Sequence, residues 1–408
     1  MAKIIGDWQW KVNEKKTAIL ASNRVLQRQY AGEFKDLGCL MGRANYGSQG
    51  AYTAAKRKAV RRPVSVYNYA SYWHVSQLKP IMVVDEAHNL PEFLCELGGF
   101  HIKQSEHPFE TTMETVGDIR VWLEQRIRYM KMRQMFKKMD YEDDIFRFSK
   151  IAKMLEGIDS LYVEHHGHAD PSLFIKPIRV QKCKWWRAEK IILMSATISL
   201  QEVERMGLGN HQVLHHRCGT EIPVENRPFI FDPVGSMRWD DQEETLPRIA
   251  AKLRELAAKH PKEKGIIHLP YRIKDDLRPL IDDPRFLWYD KTNKSQIYER
   301  FRGDGEYPIL VAPGMAEGID LPGDLGRWQV IVKVQYPSLS DHYVRALKRL
   351  DPETYSWVTV RTIIQQAGRI CRSPTDYGVT YCLDSAFASL YASSKKFWPE
   401  WFKSAVKW

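Results

Sequence analysis

Four apolar residues, Ile81-Met82-Val83-Val84, run without interruption into Asp85-Glu86. An unbroken apolar run of this length predicts a strand buried on both faces, as in a parallel sheet. Over residues 1–90 such runs alternate with polar stretches of helical character, which predicts an α/β domain. Residues 91–185 read differently. Between Val121 and Met130 apolar residues recur every three to four positions among basic ones, the period of an amphipathic helix, so a helical insertion is expected there. Pro171 and Pro177 break the pattern near its end. Residues 186–225 return to the first α/β domain, and the segment from Ile222 to Pro228 reads as a linker. A second α/β domain is expected over 226–408, with strands at Gly265–Leu269 and Ile309–Ala312. The aromatic segment Lys396–Phe402 is expected to pack on that domain.

The chemistry gathers at the ends of the predicted strands, where open α/β sheets bind ligands. After Ile81–Val84, Asp85 suits a Mg²⁺ ion held through water, and Glu86 suits polarisation of an attacking water in phosphoryl transfer. After Ile191-Ile192-Leu193 come Met194-Ser195-Ala196-Thr197, two hydroxyls at a strand end. After Ile309–Ala312 comes Glu317-Gly318-Ile319-Asp320-Leu321-Pro322-Gly323, whose glycines permit a tight backbone path and whose Asp320 can accept hydrogen bonds near a nucleotide. Gln365-Gln366-Ala367-Gly368-Arg369-Ile370-Cys371-Arg372 follows. Three-residue spacing puts Arg369 and Arg372 on one helix face, where two guanidiniums can grip a γ-phosphate.

In this order the strings resemble motifs II, III, V and VI of superfamily 2 helicases, with Asp85-Glu86-Ala87-His88 as the DEAH form. The string from Glu317 to Gly323 resembles motif V of the XPD/DinG type. Residues 18–29 look like motif Ia and Gly265–Tyr271 like motif IV. Gly42-Arg43-Ala44-Asn45-Tyr46 and Val66-Tyr67-Asn68-Tyr69 resemble the strings that bracket that family's iron–sulfur domain. The resemblance implies an α/β fold with two RecA-like P-loop NTPase-type domains, parallel sheets and a helical Arch-like insertion in the first. Residues 1–90 and 186–225 would form the first RecA-like domain, with a remnant of the iron–sulfur domain at 39–70. Residues 91–185 would be the insertion, and 226–408 the second RecA-like domain.

The resemblance also implies roles. Asp85, Glu86, His88, Arg369 and Arg372 would be catalytic, with ATP and Mg²⁺ as cofactors and Asp85 the metal residue. Glu317, Gly318, Asp320, Gln365 and Gly368 would bind nucleotide. Ser195, Ala196 and Thr197 would couple hydrolysis to movement on DNA. Ser22, Asn23, Arg24, Arg43, Tyr46, Lys56, Arg57, Arg61, Arg62 and Tyr69 would contact DNA. ATP would lie between the RecA-like domains, and its hydrolysis would drive 5′→3′ movement along single-stranded or forked DNA in repair or replication.

Two departures modify this expectation. No Gly-x-x-x-x-Gly-Lys-Ser/Thr loop, the backbone cradle for phosphates, occurs in the chain. Residues 1–17 look like the helix after that loop and the lead-in to motif Ia, and Lys15-Lys16-Thr17 reads as a solvated turn. The expectation is a fragment, a late start codon, or a chain whose loop comes from a protein partner. No cysteine lies between Tyr46 and Asp85, where the family carries a four-thiolate cluster, so no iron–sulfur cluster is expected. The rival reading is a non-catalytic helicase-like module that binds single-stranded DNA or acts as a scaffold.

Composition adds a partner class and a compartment. A formal charge of +11 favours a polyanion. From Leu37 to Val84 there is no Asp or Glu, while Arg43, Lys56, Arg57, Lys58, Arg61, Arg62 and Lys79 alternate with tyrosines and Trp73. Basic groups that track phosphates beside aromatic faces that stack on bases suit single-stranded DNA. Six scattered cysteines without a Cys-x-x-Cys pair fit a reducing cytoplasm. No apolar stretch is long enough to cross a membrane and the start lacks a signal-peptide pattern. Glu164-His165-His166-Gly167-His168 reads as an exposed polar loop rather than a metal site, for want of a second ligand cluster.

Overall fold

A computed structural model describes residues 1–136, 140–156, 158, 160–167, 170–180, 183–290, 292–303, 307–313 and 321–408. The chain divides into two compact units, Met1–His215 and His216–Trp408. The division falls earlier than the expected boundary at 225/226. Ile222 belongs with the second unit, where its carbonyl accepts a hydrogen bond from Arg227 at 3.0 Å.

The first unit runs α1 (Ala2–Asn13), β1 (Thr17–Ala21), α2 (Arg24–Glu33), β2 (Gly38–Leu40), α3 (Gln49–Arg61), β3 (Val64–Asn68), α4 (Tyr69–Trp73), β4 (Ile81–Asp85) and α5 (Leu90–Leu97). It continues through β5 (Phe100–Lys103), α6 (Val116–Met135), α7 (Glu142–Leu155), β6 (Leu161–His166), β7 (Ser172–Pro177), β8 (Lys190–Met194) and α8 (Leu200–Arg205). Its main sheet is parallel, in the order β2-β3-β1-β4-β8. Alternate residues of the inner strands enter two cores. Ala18, Leu20, Met82 and Val84 face one, with Tyr67, Tyr72 and Trp185. Ile19, Ala21, Ile81 and Val83 face the other, under Ala2 of α1, Leu26 and Tyr30 of α2 and Phe34 at that helix's end. Period-two alternation with both faces apolar explains why β4 reads as an unbroken run.

Residues 100–177 form a separate layer. Helices α6 and α7 pack through Ile119, Leu123, Met130, Phe148 and Leu155 against a three-stranded antiparallel sheet, β5-β7-β6. The helical period did not announce this sheet. Phe100-His101-Ile102-Lys103 does alternate buried and exposed, yet four residues of period two are too short a signal to outweigh the long basic helices beside them. His165 and His166 end strand β6 rather than lying in a loop, and His168 lies outside the described residues.

The second unit runs β9 (Phe229–Gly235), α9 (Gln242–Lys259), β10 (Gly265–Leu269), α10 (Tyr271–Leu277), β11 (Phe286–Trp288), α11 (Lys294–Arg302), β12 (Ile309–Pro313) and β13 (Trp328–Ile331). After these come α12 (His342–Leu350), α13 (Pro352–Ala367), β14 (Val379–Asp384), α14 (Ala386–Ser393), α15 (Glu400–Ala405) and β15 (Val406–Lys407). Its sheet is parallel, in the order β11-β12-β10-β13-β14-β9-β15. Gly265 opens β10 because the Trp328 ring lies where a side chain would go: a Cβ there would sit 2.3 Å from it. Trp398 and Phe402 are buried against Phe229 and Phe387, so the aromatic tail closes the core of this unit. The expected α/β class, with parallel sheets, is the class observed.

Candidate active site

Strand β4 lies between β1 and β8, and all three run the same way. Their C-terminal ends therefore bring Asp85 beside Met194 and the residues after it. Glu86 takes a left-handed conformation, φ 51°, and turns the chain into the short 3-10 segment Ala87–Asn89. The Tyr69 hydroxyl lies 3.0 Å from the Asp85 carbonyl and 3.2 Å from that of Glu86, bracing this turn from below. Asp85 accepts one hydrogen bond on each carboxylate oxygen. The Tyr30 hydroxyl donates to Oδ2 at 2.7 Å and the Glu86 amide to Oδ1 at 3.1 Å. Burial, and then the bond to Asp85, push the Tyr30 hydroxyl's titration well above its ordinary range, so it remains a donor.

His88 is buried and joins the two strand ends. Its Nδ1 is 2.8 Å from Ser195 Oγ and 3.3 Å from a Glu86 carboxylate oxygen. Ser195 Oγ also accepts the Thr197 amide at 3.0 Å. A polar chain thus runs from Glu86 through His88 to Ser195 and Thr197; Ala196 is exposed beside it. Asp85 keeps unused lone pairs on both oxygens after its two hydrogen bonds. A hard oxygen donor of this kind fits a water-coordinated Mg²⁺.

In the second unit the residues read as motif VI leave their helix. Helix α13 ends at Ala367 with Gly368 as its cap, and Cys371 is left-handed, φ 63°. Arg369 and Arg372 therefore do not share a helix face, which corrects the reading from spacing. A local contact accompanies the break: the Asp376 carboxylate, four residues on in the same loop, takes the Arg372 amide at 2.9 Å, a bond outside any helical pattern. Beneath the helix end lies a buried polar chain. His268 Nε2 is 3.0 Å from Gln329 Oε1, and Gln329 Nε2 donates to the Ala367 carbonyl at 3.1 Å and to Thr380 Oγ1 at 2.8 Å. Burial first, with the nearby Arg369 charge, pushes the His268 imidazole down to about 4. Gln365 is half-buried on α13, and Glu317, Gly318 and Asp320 lie outside the described residues.

The expected DNA contacts divide into two groups. Arg24, Arg43, Arg57, Arg61 and Arg62 are exposed, and Arg57, Lys58, Arg61 and Arg62 line one basic hollow on α3 and its end. Lys56 points elsewhere, donating to the His74 carbonyl at 3.1 Å. Asn23 caps α2 by accepting the Leu26 amide at 2.9 Å, and Ser22 lies beside it. Tyr46 is half-buried and its hydroxyl accepts the Met41 amide at 3.1 Å. Tyr69 is 2% exposed, packed against Phe93 and Trp185, so its ring has no face to offer a base. The same correction covers Tyr67, Tyr72 and Trp73, all buried. Tyrosines of this window build the core under the basic helix. Among the described residues no three His, Cys, Asp or Glu side chains gather as a metal-holding group.

Sequence reasoning missed Tyr30, His268, Gln329 and Asp376. Tyr30 sits in the Leu26-Tyr30-Phe34 stripe, which marks a buried helix face but does not tell where a hydroxyl reaches. His268 and Gln329 carry no local signal because they pair across neighbouring strands, and Asp376 carries none because its carboxylate also serves Gly323 and Arg327 of another loop.

Residues 252–405 match the family model of the helicase C-terminal domain. Among solved structures, S. tokodaii Xpd4 is similar at a TM-score of 0.54 and 14% identity, over 100% of this chain and 93% of that one. A structure titled XPD helicase is similar at 0.56 and 15%, over 97% of each chain. At such identities the likeness is one of fold.

Proposed function

The second unit carries a helicase C-terminal domain and the chain has the XPD-helicase fold, and on that premise we propose an ATP-driven motor that moves along single-stranded DNA and parts duplexes. The observation that carries this reading is the link from Glu86 through His88 to Ser195 at the ends of adjacent parallel strands. It gives the hydrolytic carboxylate a path to residues after β8, which is what coupling hydrolysis to movement requires.

In this reading Asp85 holds the water shell of Mg²⁺, with Tyr30 and the Glu86 amide fixing the carboxylate's rotation. The ion, when bound, neutralises phosphate charge. Glu86 orients the attacking water. Arg369 and Arg372 neutralise charge that develops on the γ-phosphate. Ser195 and Thr197 report the state of Glu86, and the exposed arginines of α3 track the DNA backbone. Residues 91–185 serve as the counterpart of the Arch.

The test is DNA-stimulated ATP hydrolysis by the purified chain, with Glu86→Gln as control. Turnover that falls at least about a hundredfold in the control, with DNA binding retained, supports the motor. Equal turnover in both proteins removes Glu86 from the mechanism. No turnover in either, with single-stranded DNA bound, assigns the chain to nucleic-acid binding alone.

A further inference from the structure

Asp376 is 7% exposed and lies in the loop between α13 and β14, where its carboxylate reaches Gly323 and Arg327 of another loop. Its carboxylate accepts four hydrogen bonds. Oδ2 takes the backbone amides of Gly323 at 3.1 Å and Arg372 at 2.9 Å. Oδ1 takes Arg327 Nη1 at 2.6 Å and the Tyr377 amide at 3.0 Å. Burial works against the charge, but the bonds from Arg372, Gly323, Arg327 and Tyr377 outweigh it and hold the carboxyl below its ordinary value. The buried group is therefore an anion, fully engaged.

Two of those donors end the two strings that resemble helicase motifs. Gly323 closes the string that begins at Glu317, and Arg372 is the second arginine of motif VI. Each loop carries one left-handed residue at the contact, Gly323 at φ 59° and Cys371 at φ 63°. For cysteine this conformation is strained, and such strain persists only where the surroundings hold it. The carboxylate between them supplies that hold. Arg327 anchors it from a third side, with Asp324 at 2.7 Å and the Tyr377 ring 4.0 Å away.

We propose that Asp376 is a positioning residue that ties the end of motif V to the backbone of Arg372, so that a shift in one loop moves the guanidinium of the other. This rests on the reading of Arg372 as a phosphate-facing arginine. The carboxylate does not touch substrate; it acts through Arg372. A shared acceptor suits this task because neither loop can move without leaving a buried amide unpaired or carrying the anion with it.

The test uses the full chain. Asp376→Asn keeps the volume but replaces one acceptor oxygen with a donor. Its kcat for DNA-stimulated ATP hydrolysis is expected to fall about tenfold, the scale of one lost charge-assisted hydrogen bond, with KM for ATP within about twofold. Asp376→Glu is expected to recover part of the loss. Amide exchange read by mass spectrometry forms the second arm. Exchange over residues 321–327 and 369–378 is expected to rise together in Asp376→Asn. Asp324→Asn, which removes only an exposed partner of Arg327, is expected to leave both segments unchanged. Exchange that rises in one segment alone overturns the proposal, as does an unchanged kcat in the variant of an active wild type. A wild-type chain without ATP turnover overturns the motor reading instead, and the exchange arm then decides the clamp by itself.

Discussion

Asp85 illustrates how much a single side chain depends on neighbours remote in sequence. Its type and place after an apolar strand are visible in the chain, but its rotation is set by a phenol on α2. A hydrogen bond to a charged acceptor contributes about 1.5–3 kcal/mol, and half-burial of this pair argues for the lower end. Tyr30→Phe removes the donor and keeps the ring in its stripe. Its expected outcome is a roughly tenfold fall in DNA-stimulated ATP turnover and a melting temperature lower by a few degrees. A steady-state assay beside a thermal melt checks both. Tyr69 teaches the converse. A tyrosine among arginines suggests a stacking platform, but 2% exposure and a hydroxyl under the Asp85-Glu86 turn make it part of the scaffold. Residue type alone does not separate these roles, since an aromatic ring with one polar atom suits both.

Elements show where periodicity suffices and where it fails. Strands β4, β8, β10 and β12 were legible because strands covered on both faces read as continuous apolar runs. The loop after α13 was not, because Asp376, four residues on in the same loop, holds the Arg372 amide outside the helical pattern, a contact that periodicity does not announce. The buried chain under that loop links β10, β13 and β14 and gives the second unit a pH dependence. In the folded state His268 titrates at about 4, against an ordinary value near 6.5 in the unfolded chain. Between those values the unfolded state binds a proton that the folded state refuses, so stability declines as pH falls from about 6.5 towards 4. His268→Leu abolishes this contribution while leaving Gln329 Oε1 without its donor, a cost of about 1–3 kcal/mol at pH 7. Denaturant unfolding at pH 7 and pH 5 is expected to show the gap between wild type and variant narrowing at the lower pH.

For the whole molecule the net charge of +11 matters less than where it lies. The window without acidic residues folds so that its tyrosines turn inward and Arg57, Lys58, Arg61 and Arg62 share one exposed hollow. Such a surface binds phosphates by releasing counterions, with each contact to a single strand adding about 0.7 to the slope of log affinity against log salt. Replacing Arg57 and Arg61 together with alanine is expected to lower that slope by about 1.4 if both touch phosphates. Salt titration of single-stranded DNA binding measures it.

The sequence by itself determined the α/β class, the strands β4, β8, β10 and β12 of the two parallel sheets, and the order of residues that resemble helicase motifs. These are properties of runs and short strings, which local chemistry expresses directly. Only the tertiary structure decided that Tyr30 holds Asp85, that His88 joins Glu86 to Ser195, that Arg372 lies off the helix, and that the insertion contains a sheet. Each of these depends on strand register, on a partner from another element, or on a side-chain acceptor that periodicity does not reveal. A hydrogen bond forms over about 3 Å in space and takes no account of separation along the chain.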